Sequence, residues 1–205
     1  DTKVTDMLIA CAEEKLAGHS VEPGLKAIVE RYAGIQRESG VSESIVAAIE
    51  KDLRDRLALS QADRKKFVDC MKAAGEDNSA KLVAMIFSKN GLEAEYVSPK
   101  EAGLVLSGEF GNAMVLPESY GNMKSLRSRR KIVVFPGFFG YTKSGEVVTF
   151  PRGGSDITGA IVTAAVKADV YENFTDVDSV FSVDPKIVPD AKPVTSLTYR
   201  EMREL

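Results

Sequence analysis

Between Lys131 and Thr175 the chain reads as an apolar strand, a glycine-rich junction, an amphipathic helix and a second strand, and that order confines it to the α/β class. Lys131 to Phe135 is a continuous apolar run, the kind buried on both faces of a parallel sheet. Gly137-Phe138-Phe139-Gly140 breaks it, Thr142 to Glu146 makes a polar turn, and Val147 to Phe150 returns toward Pro151-Arg152-Gly153-Gly154-Ser155-Asp156. From there Ile157, Ala160, Ile161, Ala164 and Ala165 form a stripe at helical spacing as far as Lys167, and Asp169 to Thr175 reads as the strand that closes a βαβ-like unit.

The junction that opens this helix has the chemistry of an anion site. Ser155 or Asp156 is placed to cap the first turn, whose free N–H groups and dipole favour negative charge. Gly153 and Gly154 let a ligand approach the backbone, and Arg152 offers a planar fork for a carboxylate or phosphate. A plain loop with a solvated arginine is the competing reading of the same residues. Beyond the second strand, Thr175 to Lys186 is rich in hydroxyls and acids and falls where open α/β sheets bind ligands, although many turns share that composition.

The first half is helical by period. Val4, Met7, Leu8, Cys11, Ala12 and Leu16 form one stripe; Leu25, Ile28, Val29, Tyr32 and Ile35 a second; Ile45, Ile49, Leu53 and Leu57 a third. Ser60 heads a fourth helix through Phe67, Cys70, Met71 and Ala74, with Asp63 completing a capping box. A fifth runs from about Asn78 to an Asn90-Gly91 stop. Short strands are expected at Glu93–Val97 and Leu104–Leu106, and a helix at Pro117–Arg127.

Composition narrows the function. The 205 residues are 44% hydrophobic and carry a net charge of −3, enough for one compact domain and without the basic field that nucleic acid requires. The one cationic run, Arg127 to Lys131, reads as a solvated element end. Cys11 and Cys70 are expected to be buried free thiols, and the absence of a signal peptide or membrane span points to the cytoplasm. His19 is the only histidine, so histidine-based nucleophilic catalysis or a multi-histidine metal site has almost nothing to be made from.

Phe150 to Asp156, Thr175 to Lys186 and Phe135 to Gly140 together resemble the aspartokinases of the amino-acid kinase family. Lys3-Val4-Thr5-Asp6-Met7-Leu8 is similar to the segment after the family's second strand, and Gly75-Glu76 to its substrate-binding Gly-Glu turn. The resemblance implies a three-layer α/β sandwich with a largely parallel central sheet, incomplete here, and a helical insertion at residues 21–74. It implies a piece of a catalytic domain spanning residues 1–205, inactive alone, without the family's regulatory domains or its Lys-Phe-Gly-Gly phosphate strand.

The implied reaction is phosphorylation of the side-chain carboxylate of L-aspartate by ATP with Mg²⁺, the first step toward lysine, threonine and methionine, in an allosteric homo-oligomer. Arg152 and Asp156 would be catalytic. Thr5, Glu76, Phe138, Arg152, Gly153, Ser155 and Asp156 would bind substrate, with Arg152 on the α-carboxylate and Glu76 on the ammonium group. Thr175, Asp176, Phe181 and Lys186 would bind nucleotide, and no residue is assigned to a resident metal. Three positions depart from the family's usual residues: Ser179 for Gly, Phe181 for Tyr and Lys186 for Arg, the last keeping charge but losing a bidentate fork. Two alternatives stand beside this reading: an inactive amino-acid-binding or interaction module, and a sister kinase acting on glutamate derivatives or a nucleoside monophosphate.

Overall fold

The computed structural model describes residues 3–174, 179, 181–183, 187–196 and 198. The chain forms two compact units, residues 1–171 and residues 172–205. In the first, four helices come before any strand: α1 (Val4–Leu16), α2 (Glu22–Ser39), α3 (Ser44–Leu57) and α4 (Arg64–Lys89). Then follow β1 (Ala94–Tyr96), α5 (Pro99–Ala102), α6 (Glu118–Met123), a 3₁₀ turn at Lys124–Ser128, β2 (Ile132–Val134), β3 (Phe139–Tyr141), β4 (Val147–Thr149) and α7 (Gly154–Val166).

The stripes read from the sequence do build the helical core. Leu8, Cys11 and Ala12 of α1, Leu25, Ile28 and Tyr32 of α2, and Ile45, Ile49, Leu53 and Leu57 of α3 are buried together with Phe67, Met71, Ala74 and Leu82 of α4. Ile35 is the exception: it is exposed, and Gln36 is buried instead, its amide donating to the Val41 carbonyl at 2.6 Å just past the left-handed Gly40 that ends α2. Cys11 and Cys70 are free and buried.

Two expected helices prove to be one. α4 runs unbroken for 26 residues through Gly75-Glu76, and it starts at Asp63, whose carboxylate accepts from the Lys66 N–H at 3.1 Å; the Ser60 hydroxyl accepts from Ala62 N–H in the turn before it. Gly-Glu-Asp-Asn-Ser reads as a turn by composition, yet here its residues find partners in neighbouring elements. Arg56 donates to Asp52 at 2.8 Å, to Asp77 at 2.7 Å and to the Cys70 carbonyl at 2.9 Å; Lys81 and Tyr96 also bond Asp77, and Asn78 bonds Asp52 at 2.9 Å. The Tyr32 hydroxyl donates to the Gly75 carbonyl at 3.1 Å. Gly75 packs closely against α1, where a Cβ would lie 3.2 Å from Leu8 Cδ1.

A second core gathers Val97, Ala102, Leu104, Leu106, Met123, Leu126, Val148, Phe150, Ile161 and Ala165. α4 packs against α1 and α3 and also against β1, β2 and β4. Its Asp69, 2% exposed, accepts from the backbone N–H groups of Gly111 at 2.7 Å and Thr149 at 2.8 Å, so one carboxylate ties the helix to a loop and to β4.

The described strands form a parallel pair, β1 with β2, and an antiparallel pair, β3 with β4. Leu104 to Leu106 contributes only isolated bridges, from Val105 to Tyr141 and from Leu106 to Val115. β2 is not buried on both faces: among the described residues β1 is its one partner, and Ile132 stays 45% exposed. Phe139 and Gly140, expected in a break, belong with Tyr141 to strand β3. No strand occurs over residues 169–174, so the described residues do not close the βαβ unit after α7.

The basic run is not simply solvated. Arg127 bonds the Val166 carbonyl at 2.8 Å and the Lys167 carbonyl at the end of α7, where cations complement the helix dipole. Arg129 pairs with Glu95 at 3.3 Å and with Glu101. In the second unit, Phe181 bridges Pro193 antiparallel and Ser182 N–H donates to the Lys192 carbonyl at 3.0 Å. Among the described residues no helix is long and apolar enough to cross a membrane.

Removing Arg56 would take from Asp52 and Asp77 the cation they share, leaving them Lys81, Asn78 and Tyr96. Arg56→Met is expected to destabilise the fold by about 3–5 kcal/mol, the range for breaking a buried ion pair, measured by denaturant titration. Burial works against Asp52's charge, but Arg56 and the Asn78 amide hold its carboxyl below the usual aspartate range. The stability it contributes is therefore complete above that range and is lost as pH falls through the lower folded value.

Candidate functional site

A cleft of about 360 Å³ lies where α1, α4, the Gly111 loop and the start of α7 meet, lined by Thr5, Glu76, Phe138, Arg152, Gly153 and Ser155 among others. These come from four separated stretches of chain. Asp156 sits one residue further into α7, is exposed, and is not among the lining residues. Thr175, Asp176 and Lys186 lie outside the described residues, and Phe181, half-buried, belongs to the second unit.

The glycines of the junction divide their work. Gly153 is the N-cap of α7 at φ 79°, with open space where a Cβ would be, so it serves conformation. Gly154 serves packing: a Cβ there would lie 2.7 Å from Phe150 Cβ and 2.8 Å from Phe138 Cδ2. Gly137 does the same from the facing loop, where a Cβ would lie 2.9 Å from Ser155 Cα. Only Gly153, then, leaves its backbone open in the way expected of both glycines.

The N-cap of α7 is Gly153, which has no side chain, and neither Ser155 nor Asp156 occupies that position. Ser155 instead lines the cleft with Glu76, whose charged form its hydroxyl favours. Thr158, one turn further on, accepts from Phe138 N–H at 3.0 Å and donates to the Gly154 carbonyl at 2.8 Å. Those bonds hold Phe138 at φ 73°, a left-handed conformation that is uncommon for an aromatic residue and is kept only where surroundings over-determine it.

The electrostatics are mixed by design of position. Lys3, Lys72 and Arg152 bring positive charge to the cleft, and Asp6 and Glu76 negative charge. Glu76 is desolvated, which pushes its carboxyl above the usual glutamate range, and the Ser155 hydroxyl partly offsets this. Arg152 is exposed and makes no hydrogen bond or ion pair with a described residue, leaving its whole fork for a ligand. A cation fork and a desolvated carboxylate in one cleft suit a zwitterion. The described residues hold no group of three or more His, Cys, Asp or Glu that could bind a metal ion.

Ile9, Lys72 and Gly111 also line the cleft and were not evident in the sequence. Lys72 lies one helical turn before Glu76, a relation visible only once α4 is read as continuous through Gly75. Gly111, at φ 80°, reaches the cleft through its bond to Asp69, a contact across 42 residues that leaves no local signal.

Both glycine roles are testable by thermal or denaturant unfolding. Gly154→Ala should cost about 1–3 kcal/mol through overpacking, and Gly153→Ala about 1–2 kcal/mol through left-handed strain. Folding raises the Glu76 pKa, so the native state holds a proton that the unfolded chain releases, and stability falls as pH rises from the ordinary glutamate range through the raised value. Glu76→Gln should flatten that limb and raise the melting temperature at neutral pH.

Residues 15–205 match the Amino acid kinase family. The chain is 53% identical over 205 residues to Aspartokinase 3 of Bacillus subtilis (strain 168), covering 100% of this chain and 45% of that protein. It is 33% identical over 204 residues to an aspartokinase of Mycolicibacterium smegmatis, covering 96% and 48%. The chain thus spans about half the length of the curated relatives it matches. Among solved structures, aspartate kinase from Clostridium acetobutylicum superposes with a TM-score of 0.75 at 32% identity, covering 100% of this chain and 44% of that one. E. coli aspartokinase III in complex with aspartate and ADP shares the fold at TM-score 0.67 and 24% identity, over 95% of this chain and 45% of that one. The chain belongs to the amino acid kinase family.

Proposed function

We propose that these residues form part of an ATP-dependent kinase that phosphorylates the side-chain carboxylate of L-aspartate. The observation that carries this reading is the meeting of Arg152 and Glu76, 76 positions apart in the chain, in one cleft with opposite charges. Arg152 would take the α-carboxylate and Glu76 the ammonium group, while Thr5, Phe138, Gly153 and Ser155 shape the walls. Both sequence relatives described above are named aspartokinases, which supports the substrate over another amino acid.

The chemistry suits a site without histidine. An aspartate carboxylate is ionised at neutral pH, with a reference pKa of about 3.9, so no general base is needed. One of its oxygens forms a bond to the γ-phosphorus of ATP as the bond from that phosphorus to the β,γ-bridging oxygen breaks, giving an acyl phosphate and ADP. The obstacle is repulsion between an anion and a polyanion, which positioning and cations relieve. Asp156, at the start of α7, is proposed as a catalytic residue beside Arg152, and Thr175, Asp176, Phe181 and Lys186 as nucleotide-binding. Mg²⁺ would enter as the ATP complex, keeping several waters and needing no dedicated ligand cage.

The full-length polypeptide, supplied with ATP, Mg²⁺ and L-aspartate, should yield an acyl phosphate that hydroxylamine traps as the hydroxamate. Markedly better turnover of another acid would refute the substrate assignment. Arg152→Ala should lower kcat/KM for aspartate by about 2–5 kcal/mol, the range for unpairing a hydrogen-bonded charge on a ligand.

A further inference from the structure

Asp69, Lys72 and Glu76 follow one another along a single face of α4, at spacings of three and four residues. Asp69 is 2% exposed, and one of its oxygens, Oδ2, is already taken by the Gly111 and Thr149 N–H groups. Lys72 reaches the other, Oδ1, at the long distance of 3.3 Å. Its side chain is only 22% exposed, yet it lines the cleft, with Nζ next to Gly111: a Cβ on that glycine would lie 3.8 Å away. An ammonium carries three donors. With one long contact behind it, the group faces the cleft with hydrogen-bonding capacity in hand.

Charge counting gives that capacity a use. Lys3 and Asp6 are exposed at the start of α1, and opposite in sign. Deeper in, Lys72 and Glu76 stand about 6 Å apart along the helix axis, one turn, without bonding each other, and Arg152 approaches from the start of α7. Lys72, although paired with Asp69, keeps donors for an acceptor in the cleft, and together with Arg152 and Glu76 it suits a ligand with two carboxylates and one ammonium group. A simple amino acid would leave the remaining donors of Lys72 without an acceptor on the ligand.

We propose that Lys72 binds the side-chain carboxylate of the substrate, the group that accepts the phosphoryl, and so makes the cleft specific for an amino dicarboxylate; this rests on the aspartate reading of the cleft. One carboxylate oxygen is held by the ammonium group while the other keeps its lone pairs for phosphorus. Asp69 is the positioning residue that fixes Lys72, and it is itself fixed by two backbone N–H groups.

The test uses the full-length protein with aspartate and ATP varied independently. In Lys72→Gln the KM for aspartate should rise at least tenfold while the KM for ATP stays within twofold, and Lys72→Arg should recover part of the loss. A rise confined to ATP, or no change in either, overturns the proposal. A second measurement needs no variant: L-aspartate alone should slow acetylation of Lys72 relative to exposed Lys51, read by peptide mass spectrometry. Absence of protection, or equal protection by ATP alone, also overturns it. Wild-type protein that does not phosphorylate aspartate would instead refute the functional reading, so the two failures are distinct.

Discussion

Asp69 and Asp77 are both buried on α4, about two turns apart, and a buried carboxylate without partners would be too costly to keep ionised. Each therefore recruits donors from elsewhere in the chain. Asp77 takes Arg56 from α3, Tyr96 from β1 and Lys81 from its own helix. Asp69 takes the backbone of the Gly111 loop and of β4. Through these two side chains α4 becomes the joint between the helical core and the sheet-bearing half, and the positions of α3, β1 and β4 follow from where its acids need donors.

The cleft depends on that joint. Glu76, half-buried, lies between the two buried acids in sequence and lines the cleft together with Ser155 from the first turn of α7. α7 in turn sits where it does because Gly137 and Gly154 have no Cβ, which lets Phe138 and Phe150 close over the helix start. Much of the glycine content of the junction thus builds the wall against which a ligand rests. The strained backbone of Phe138 belongs to the same assembly, held by the Thr158 hydroxyl.

Much of the helical half was legible from sequence because its stripes are one-sided: Leu25, Ile28 and Tyr32, or Ile45, Ile49, Leu53 and Leu57, each recur at helical spacing and bury one face. α4 defied the same method because it is buried on several faces, so small and polar residues replace a stripe, and Gly75 to Ser79 imitates a turn. The β half was harder for a related reason. Strands of three residues carry little pattern, and whether Ile132 is covered depends on which strands lie beside it. In the site, Arg152 and Glu76 could be named from motif resemblance, while Lys72 and Gly111 depend on a continuous helix and a 42-residue contact that no local pattern records.

What the sequence determined by itself is whatever is local in cause: helices with one apolar face, the glycine-rich entry to α7, a single histidine that leaves little for histidine-based catalysis, and the charge types available to a site. Tertiary structure alone decided that α4 is one helix, that Gly154 packs and only Gly153 stays open, that the Arg127 run caps a helix end, and that six residues from four separated stretches share a cleft. The physical reason is one of range. Periodicity and capping are set by neighbours within a turn, whereas burial of a charge or absence of a Cβ has meaning only against the atoms that distant chain segments bring to it.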